Sequence, residues 1–160
     1  MSFSTNSFED IMALKYPTYD WEALDVHTSD GYILTLHHIW KEGAMDQSKG
    51  PVLFQHGHIM DGSLWLDWHD TPAPFLKFVD LGHHIYLGSN RGTRDSQRHE
   101  FLDAALDAAY WDFTVSDMAL DVIANVDKMV THTPGTAKGH YVGYSQGTAQ
   151  LLISLIEYEE

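Results

Sequence analysis

His140-Tyr141-Val142-Gly143-Tyr144-Ser145-Gln146-Gly147 places a Gly-x-Ser-x-Gly sequence between two unlike stretches. A short β-rich run, His140-Tyr141-Val142, comes directly before it, and an apolar helix-forming run, Ala149 to Ile156, directly after. Strand, sharp turn and helix is the setting in which such a serine is presented for chemistry. The turn predicts a strained backbone at Ser145, and the flanking glycines let helix and strand approach closely. Ser145 then stands at the C-terminal edge of a sheet and at a helix N-terminus, where N–H groups and the helix dipole stabilise an oxyanion. An ordinary Gly-Ser turn would carry the same letters, so the surrounding sequence has to decide.

Upstream, strands and helices alternate, which predicts an α/β chain with a mostly parallel sheet and covering helices. Helices are expected at Phe8 to Lys15, stopped by Pro17, and at Pro74 to Leu81, ended by Gly82. Strands are expected at Ala23 to His27, Tyr32 to Trp40, Pro51 to Gln55, His84 to Leu87 and His140 to Val142. The Thr28-Ser29-Asp30-Gly31 turn joins the first two as a hairpin. Lys41 to Gly50 reads as a polar loop, and Arg91 to Ala109 as irregular and charged. The clearest helix begins near Thr114 or Ser116, with Val115, Met118, Val122, Ile123, Val126, Met129 and Val130 on one face, most simply core. Thr133-Pro134-Gly135 ends it. No repeat or low-complexity linker interrupts the 160 residues, which read as one domain.

Nine basic against 23 acidic residues give a net charge of −14. Such a surface repels phosphate backbones and gains nothing at an anionic membrane, so nucleic acid is not expected as a partner. There is no cysteine, which excludes disulfides and thiolate chemistry and leaves the redox compartment open. No apolar run approaches the roughly 20 residues of a membrane span. Met1 to Asp10 lacks the basic and apolar regions of a secretory leader, so none is expected in the chain as written.

Five collinear blocks make the Ser145 context specific: Asp30-Gly31-Tyr32-Ile33-Leu34; Val52-Leu53-Phe54-Gln55-His56-Gly57; Tyr86-Leu87-Gly88-Ser89-Asn90-Arg91-Gly92-Thr93; Tyr110-Trp111-Asp112-Phe113 followed by Asp117-Met118-Ala119; and His140 to Gly147. With these blocks the chain resembles the acid-lipase family, the lysosomal and gastric lipase type of the α/β-hydrolases, from about Tyr16 to Leu155. The resemblance implies the first portion of an α/β-hydrolase fold, up to the nucleophile elbow and its helix, with strand order one, two, four, three, five. It implies hydrolysis of neutral-lipid esters, triacylglycerols or sterol esters, through a seryl acyl-enzyme. It assigns Ser145 as nucleophile and the backbone N–H groups of Gln146 and His58 as oxyanion donors. Where this chain has His58 the family more often has leucine; a backbone donor tolerates that change, but the pocket wall becomes more polar. Family members carry their triad Asp and His well downstream of the elbow, and these 160 residues hold no counterpart of them, nor of the helical cap.

Eleven histidines invite a search for a substitute base. His56 and His58 are nearest the expected oxyanion loop, but in this fold His56 packs beneath it, and an unactivated serine is a poor nucleophile. His56-x-His58 with Asp61 approaches metallo-hydrolase spacing, but the aspartate falls one residue late and no second cluster is evident. His37-His38 and His83-His84 point to opposite faces if they lie in strands, a buried and an exposed neighbour rather than chelating pairs. No metal and no cofactor are therefore expected. Arg91, Arg94 and Arg98 sit near Asp95, Glu100 and Asp103, as an anion site or, more simply, as loop ion pairs tying the strand end to the helix at Ser116. Trp65, Trp68 and Trp111 could line an acyl pocket or merely pack.

The expectation is a carboxylic ester hydrolase whose isolated chain is inactive. Its alternatives are one half of a split lipase completed by a partner chain, or a non-catalytic subunit reusing the fold. In any of these, the outer side of the His140 strand and the apolar side chains Leu151 to Ile156 form an open edge. That edge invites a partner chain or self-association. A lipid ester is the expected ligand once the site is completed. The compartment stays undetermined, although family members are typically secreted or lysosomal.

Overall fold

A computed structural model describes residues 7–46, 48–66, 73–133, 135 and 138–158. Its elements run α1 (Phe8–Lys15), β1 (Asp20–His27), β2 (Tyr32–Trp40), β3 (Val52–Gln55), α2 (Leu76–Asp80), β4 (Ile85–Gly88), β5 (Arg98–His99), α3 (Ala119–His132), β6 (His140–Gly143) and α4 (Gln146–Glu157). Short 3-10 turns lie at Gly62–Trp65 and Ala108–Trp111. The sheet order is β1-β2-β4-β3-β6, which is the expected one, two, four, three, five; the two-residue β5 adds a side pairing to β2. The sheet is mixed rather than mostly parallel: β3 runs parallel to β4 and β6, whereas β1–β2 and β2–β4 are antiparallel.

Strand alternation sorts side chains onto two faces, each with its own core. Ile39, Val52, Phe54, Ile85 and Leu87 meet Phe8, Ile11 and Met12 of α1 and Leu76 and Val79 of α2. Leu34, Leu36, Leu53 and Tyr86 point the other way, onto Met129 of α3 and Tyr110. α1 starts where expected because Ser7 caps it: its hydroxyl accepts from the Asp10 N–H while the Asp10 carboxylate accepts from the Ser7 N–H. Gly31, at φ +96°, makes the hairpin turn, where a side chain would be strained and would meet the His99 ring 2.9 Å away.

Three expectations need correction. α3 begins at Ala119, because Thr114 and Asp117 close a turn first: the Thr114 hydroxyl and N–H both bond the Asp117 carboxylate at 2.7 Å. Its buried face is not purely apolar; it includes Asp121 and Asn125, while Val115 is exposed. His37 and His38 do face opposite ways, but both are buried, because helices cover both sides of β2. His37 stacks on Phe8 at 3.6 Å, and His38 stacks on Tyr86 at 4.5 Å. Trp68 and His69 lie outside the described residues.

Candidate active site

Ser145 joins β6 to α4 with φ 52° and ψ −113°, a conformation that is rare for a residue with a side chain. The packing around it holds that strain in place. A Cβ built at Gly147 would lie 2.6 Å from the Gln55 carbonyl oxygen and 2.8 Å from that of His56. One built at Gly143 would lie 2.7 Å from the Thr148 nitrogen. The glycines on either side of the serine are thus the places where α4 and the end of β3 touch the turn. The Tyr141 hydroxyl ties strand to helix by donating to the Gly147 carbonyl at 2.7 Å.

The loop after β3 closes against the same turn. A Cβ at Gly57 would meet the Tyr144 ring at 2.9 Å and the Ser145 Cβ at 3.1 Å. His58 follows, and its ring Nδ1 lies 2.9 Å from the Gln146 side-chain Oε1, bridging the two loops. The Gln146 amide nitrogen reaches Met118 Sδ at 3.2 Å. No described residue accepts from the backbone N–H of His58 or of Gln146. Ile59, next in the chain, is exposed and also holds a positive φ of 59°.

His56 is buried, with both ring nitrogens engaged. Its Nε2 accepts from the Asn90 N–H at 3.0 Å, so Nδ1 carries the proton and donates to the Gly57 carbonyl at 2.7 Å. Burial pushes its pKa down, against the smaller opposing effect of the Gly57 carbonyl. His56 is therefore a neutral strut for the loop. Among the described residues no side chain hydrogen-bonds the Ser145 hydroxyl, so none stands as its base.

Beneath the turn lies a buried amide network to which the sequence had assigned no role. Asn90 Oδ1 accepts from Gln55 Nε2 at 2.7 Å and from Gln150 Nε2 at 3.2 Å, joining the ends of β3 and β4 to α4. The expected arginine network is present, with Arg94 on Asp95 as expected and other partners for Arg91 and Arg98. Arg91 is fully buried and pairs with Asp121 of α3 at 2.7 Å and with Asp30 of the hairpin at 2.6 Å. The Arg91 N–H also donates to Asp121 at 2.9 Å. Burial pushes the Asp121 carboxyl up to about 6 against the pull of Arg91, which leaves it ionised at neutral pH. Burial works against the Arg91 charge, and its two carboxylate partners more than offset that. Arg98 pairs with Asp25 across β1, while Arg94 reaches Asp95 and Asp61. The strand end is indeed tied to α3, through Arg91 and Asp121. Asp30-Gly31, Gln55-His56 and Asn90-Arg91 are all parts of quoted sequence blocks, which was the one available signal for these roles.

A cavity of about 700 Å³ opens beside the turn. Its lining includes Ile59, Trp111, Phe113, Val115, Met118 and, next to Ser145 in the chain, Gln146. Trp111 therefore does line a pocket, whereas Trp65 packs edge-on against Phe54 at 5.1 Å. Asp61, Arg91 and Arg94 line the cavity as well, so apolar and charged groups share the wall.

Residues 12–67 match a family described as a partial α/β-hydrolase lipase region. A probable lipase of Schizosaccharomyces pombe is 37% identical over 138 residues, covering 81% of this chain and 29% of that protein. Triacylglycerol lipase 2 of Arabidopsis thaliana is 36% identical over 150 residues, covering 89% of this chain and 34% of that protein. The chain thus spans about a third of the length of these relatives. In fold it is similar to the Pyrococcus furiosus esterase Pf2001, at a TM-score of 0.61 and 16% identity, covering 99% of this chain and 53% of that one. The sheet order, the strained serine turn and these matches agree on the first portion of an α/β-hydrolase fold, and over that portion the chain is similar to lipases.

Proposed function

We propose that this stretch supplies the nucleophile and the oxyanion hole of a lipid ester hydrolase, and that its base and carboxylate come from residues outside the stretch. The observation that carries the reading is Ser145, held at φ 52° on a turn whose glycines admit no side chain. Ser145 Oγ attacks the acyl carbonyl and forms an acyl-enzyme. The unpartnered N–H groups of Gln146 and His58 take the charge that develops on the carbonyl oxygen. The acyl chain lies along Trp111, Phe113 and Val115 in the adjoining cavity. Neutral-lipid esters, triacylglycerols or sterol esters, suit the apolar side chains Trp111, Phe113 and Val115, and the two arginines that also line the cavity face carboxylates, Arg91 those of Asp30 and Asp121 and Arg94 those of Asp95 and Asp61.

The free outer side of β6 supports the second half of the reading. Val142, Leu152, Leu155 and Ile156 are exposed beside it, with Ile156 at 77%. Further lipase strands, in the same polypeptide or in a partner chain, cover these groups and bring the histidine. No described helix is long and apolar enough to cross a membrane.

Two assays test this. The 160-residue chain alone should hydrolyse a short-chain nitrophenyl ester little above background. A chimera in which this stretch replaces the matching third of a homologous lipase should be active, and Ser145→Ala should lower its rate by about 1000-fold or more. A folded but inactive chimera would favour a non-catalytic subunit, and a chimera still active after Ser145→Ala would sink the assignment. Robust, Ser145-dependent activity of the chain alone would show that a base lies within it.

A further inference from the structure

At the opposite end of the sheet, four side chains that are remote in sequence converge. Glu22 of β1 lies directly across from His38 of β2, and His38 directly across from Tyr86 of β4, so all three share the α3-facing side. His84, two residues before Tyr86, faces the same way, and His132 comes down from the last turn of α3. His38 Nδ1 lies 2.9 Å from Glu22 Oε1, and His132 Nε2 lies 3.0 Å from that same oxygen. The ligating atoms of Glu22, His38 and His132 all lie within 4.8 Å of one another. The His38 Nε2 is 2.8 Å from His84 Nδ1. Four residues of parallel strand, roughly 13 Å at ~3.3 Å each, separate this end from the serine turn.

We propose that Glu22, His38 and His132 form a binding site for a borderline divalent transition-metal ion, best matched by zinc, with His84 orienting His38 from behind. Two imidazoles and a carboxylate form a ligand set that zinc takes at about 2.0–2.2 Å, with water in the fourth position. A tetrahedron of that size separates its donors by about 3.3 Å. Glu22 therefore needs to draw back from each imidazole nitrogen by only a few tenths of an ångström, and His132, whose Nε2 lies within 4.8 Å of His38 Nδ1, needs to settle at that spacing from it. They have the freedom to do so: their side chains are 41% and 31% exposed, while His38 is held at 6%.

The outer contacts have the form a metal site requires. A ligating histidine is fixed by what its other ring nitrogen touches, and here His84 provides that contact. Trp40 stacks on the His38 ring at 4.6 Å and Tyr86 at 4.5 Å, leaving the imidazole one orientation. Metal binding needs neutral imidazole. Without an ion, the same atoms form a hydrogen-bonded chain of three imidazoles on one carboxylate: His38 Nδ1–H and His132 Nε2–H donate to Glu22, and His84 Nδ1–H donates to His38. Binding moves the His38 proton to Nε2 and the His132 proton to Nδ1, takes His84 in its Nε2-protonated tautomer so that its Nδ1 accepts from His38, and replaces the two hydrogen bonds to Glu22 by three metal bonds. The single carboxylate makes the site a poor match for magnesium or calcium, which demand mostly oxygen ligands.

The test uses the 160-residue chain without a polyhistidine tag, stripped with a chelator and titrated separately with zinc, cobalt(II) and magnesium chlorides. One saturable equivalent of zinc is expected, together with the intense visible bands of four-coordinate cobalt(II) and no magnesium binding. His132→Ala and Glu22→Gln should each weaken zinc by about 10-fold or more, while His27→Ala, on an exposed β1 histidine, should leave it unchanged. Glu22→Gln keeps a hydrogen-bond acceptor in place, and its circular dichroism, matched to wild type, guards against loss of fold. Absence of saturable zinc binding, or binding unaffected by both variants, would overturn the proposal and leave a hydrogen-bonded staple between sheet and helix.

Discussion

β3 and β6 are parallel neighbours of four residues each, and the structure treats them very differently. Every residue of Val52–Gln55 is buried, whereas His140–Gly143 alternates between exposed and half-buried. Hydropathy does not explain the difference, since Leu53 and Val142 are both good strand formers. Neighbours do. β3 has β4 on one side and β6 on the other, with α2 and α3 on its faces; among the described residues β6 pairs with β3 alone. Burial is thus a property of position in the sheet. The serine turn sits at the joint between the two regimes, with its glycines against the end of β3 and its helix on the exposed side.

The strongest way to break this comparison is to force the joint apart. Gly147→Val puts a branched side chain where backbone oxygens lie 2.6 and 2.8 Å from the would-be Cβ. It should cost about 4 kcal/mol or more, comparable with a whole small domain's stability. Gly143→Val should act alike. Thermal melts of either variant within a degree or two of wild type would show that no tight joint exists. Next in size, Leu53→Ala should cost roughly 2–5 kcal/mol, the usual range for emptying a buried site. Val142→Ala, at a residue 37% exposed on the neighbouring strand, should cost well under about 1 kcal/mol. Equal losses in denaturant melts would mean that β6 is as enclosed as β3.

The fully covered interior also predicts an acid response. Burial lowers His37 to about 4, against weaker upward pulls from Glu9 and Asp61. Its Nδ1 has no partner among the described residues. In the unfolded chain His37 takes a proton near pH 6.5, while the folded chain resists until about 4. Stability on this account is complete above pH 6.5 and is lost as the pH falls toward 4. Between pH 7 and 5 the loss is roughly 2 kcal/mol. His37→Phe fills the same stacking site against Phe8 and should gain that amount on wild type at pH 5 relative to pH 7. An unchanged pH slope would show that water reaches this ring.

Hydrogen exchange gives the smallest and most local measure. The His140 N–H bonds the Pro51 carbonyl and the Tyr144 N–H that of Gln55, so by strand alternation the Tyr141 and Gly143 N–H groups face away from β3. The Tyr141 amide should exchange rapidly while those of Leu53 and Phe54 stay protected. Slow exchange at Tyr141 in a chain that sediments as a monomer would show that the edge is not open. Protection that appears only on self-association or on addition of a partner would identify what covers it.

Much of this molecule was legible because it is written locally. Ser7 and Asp10 mark the start of α1, Asp30-Gly31 the hairpin, and Gly143 and Gly147 the serine turn; in each, a short-range backbone requirement selects the residue. The order of the five main strands came from the resemblance, which joined Tyr32, Phe54, Leu87 and Val142 into one known arrangement. The sequence could not assign what depends on long-range meeting. Asp121 and Asn125 look like the polar side of an amphipathic helix, and only the packing shows Asp121 on Arg91 and Asn125 among the buried amides. His37-His38 reads as an inside and an outside residue until both faces of β2 are seen to be covered. Glu22, His38, His84 and His132 carry no common spacing at all, because strand register and the approach of a helix end bring them together. Local sequence determined the turns, caps and nucleophile candidate through backbone sterics and short-range hydrogen bonds. The partners of each buried charge and each imidazole were left to tertiary structure, since only the folded sheet fixes which distant side chains share one desolvated space.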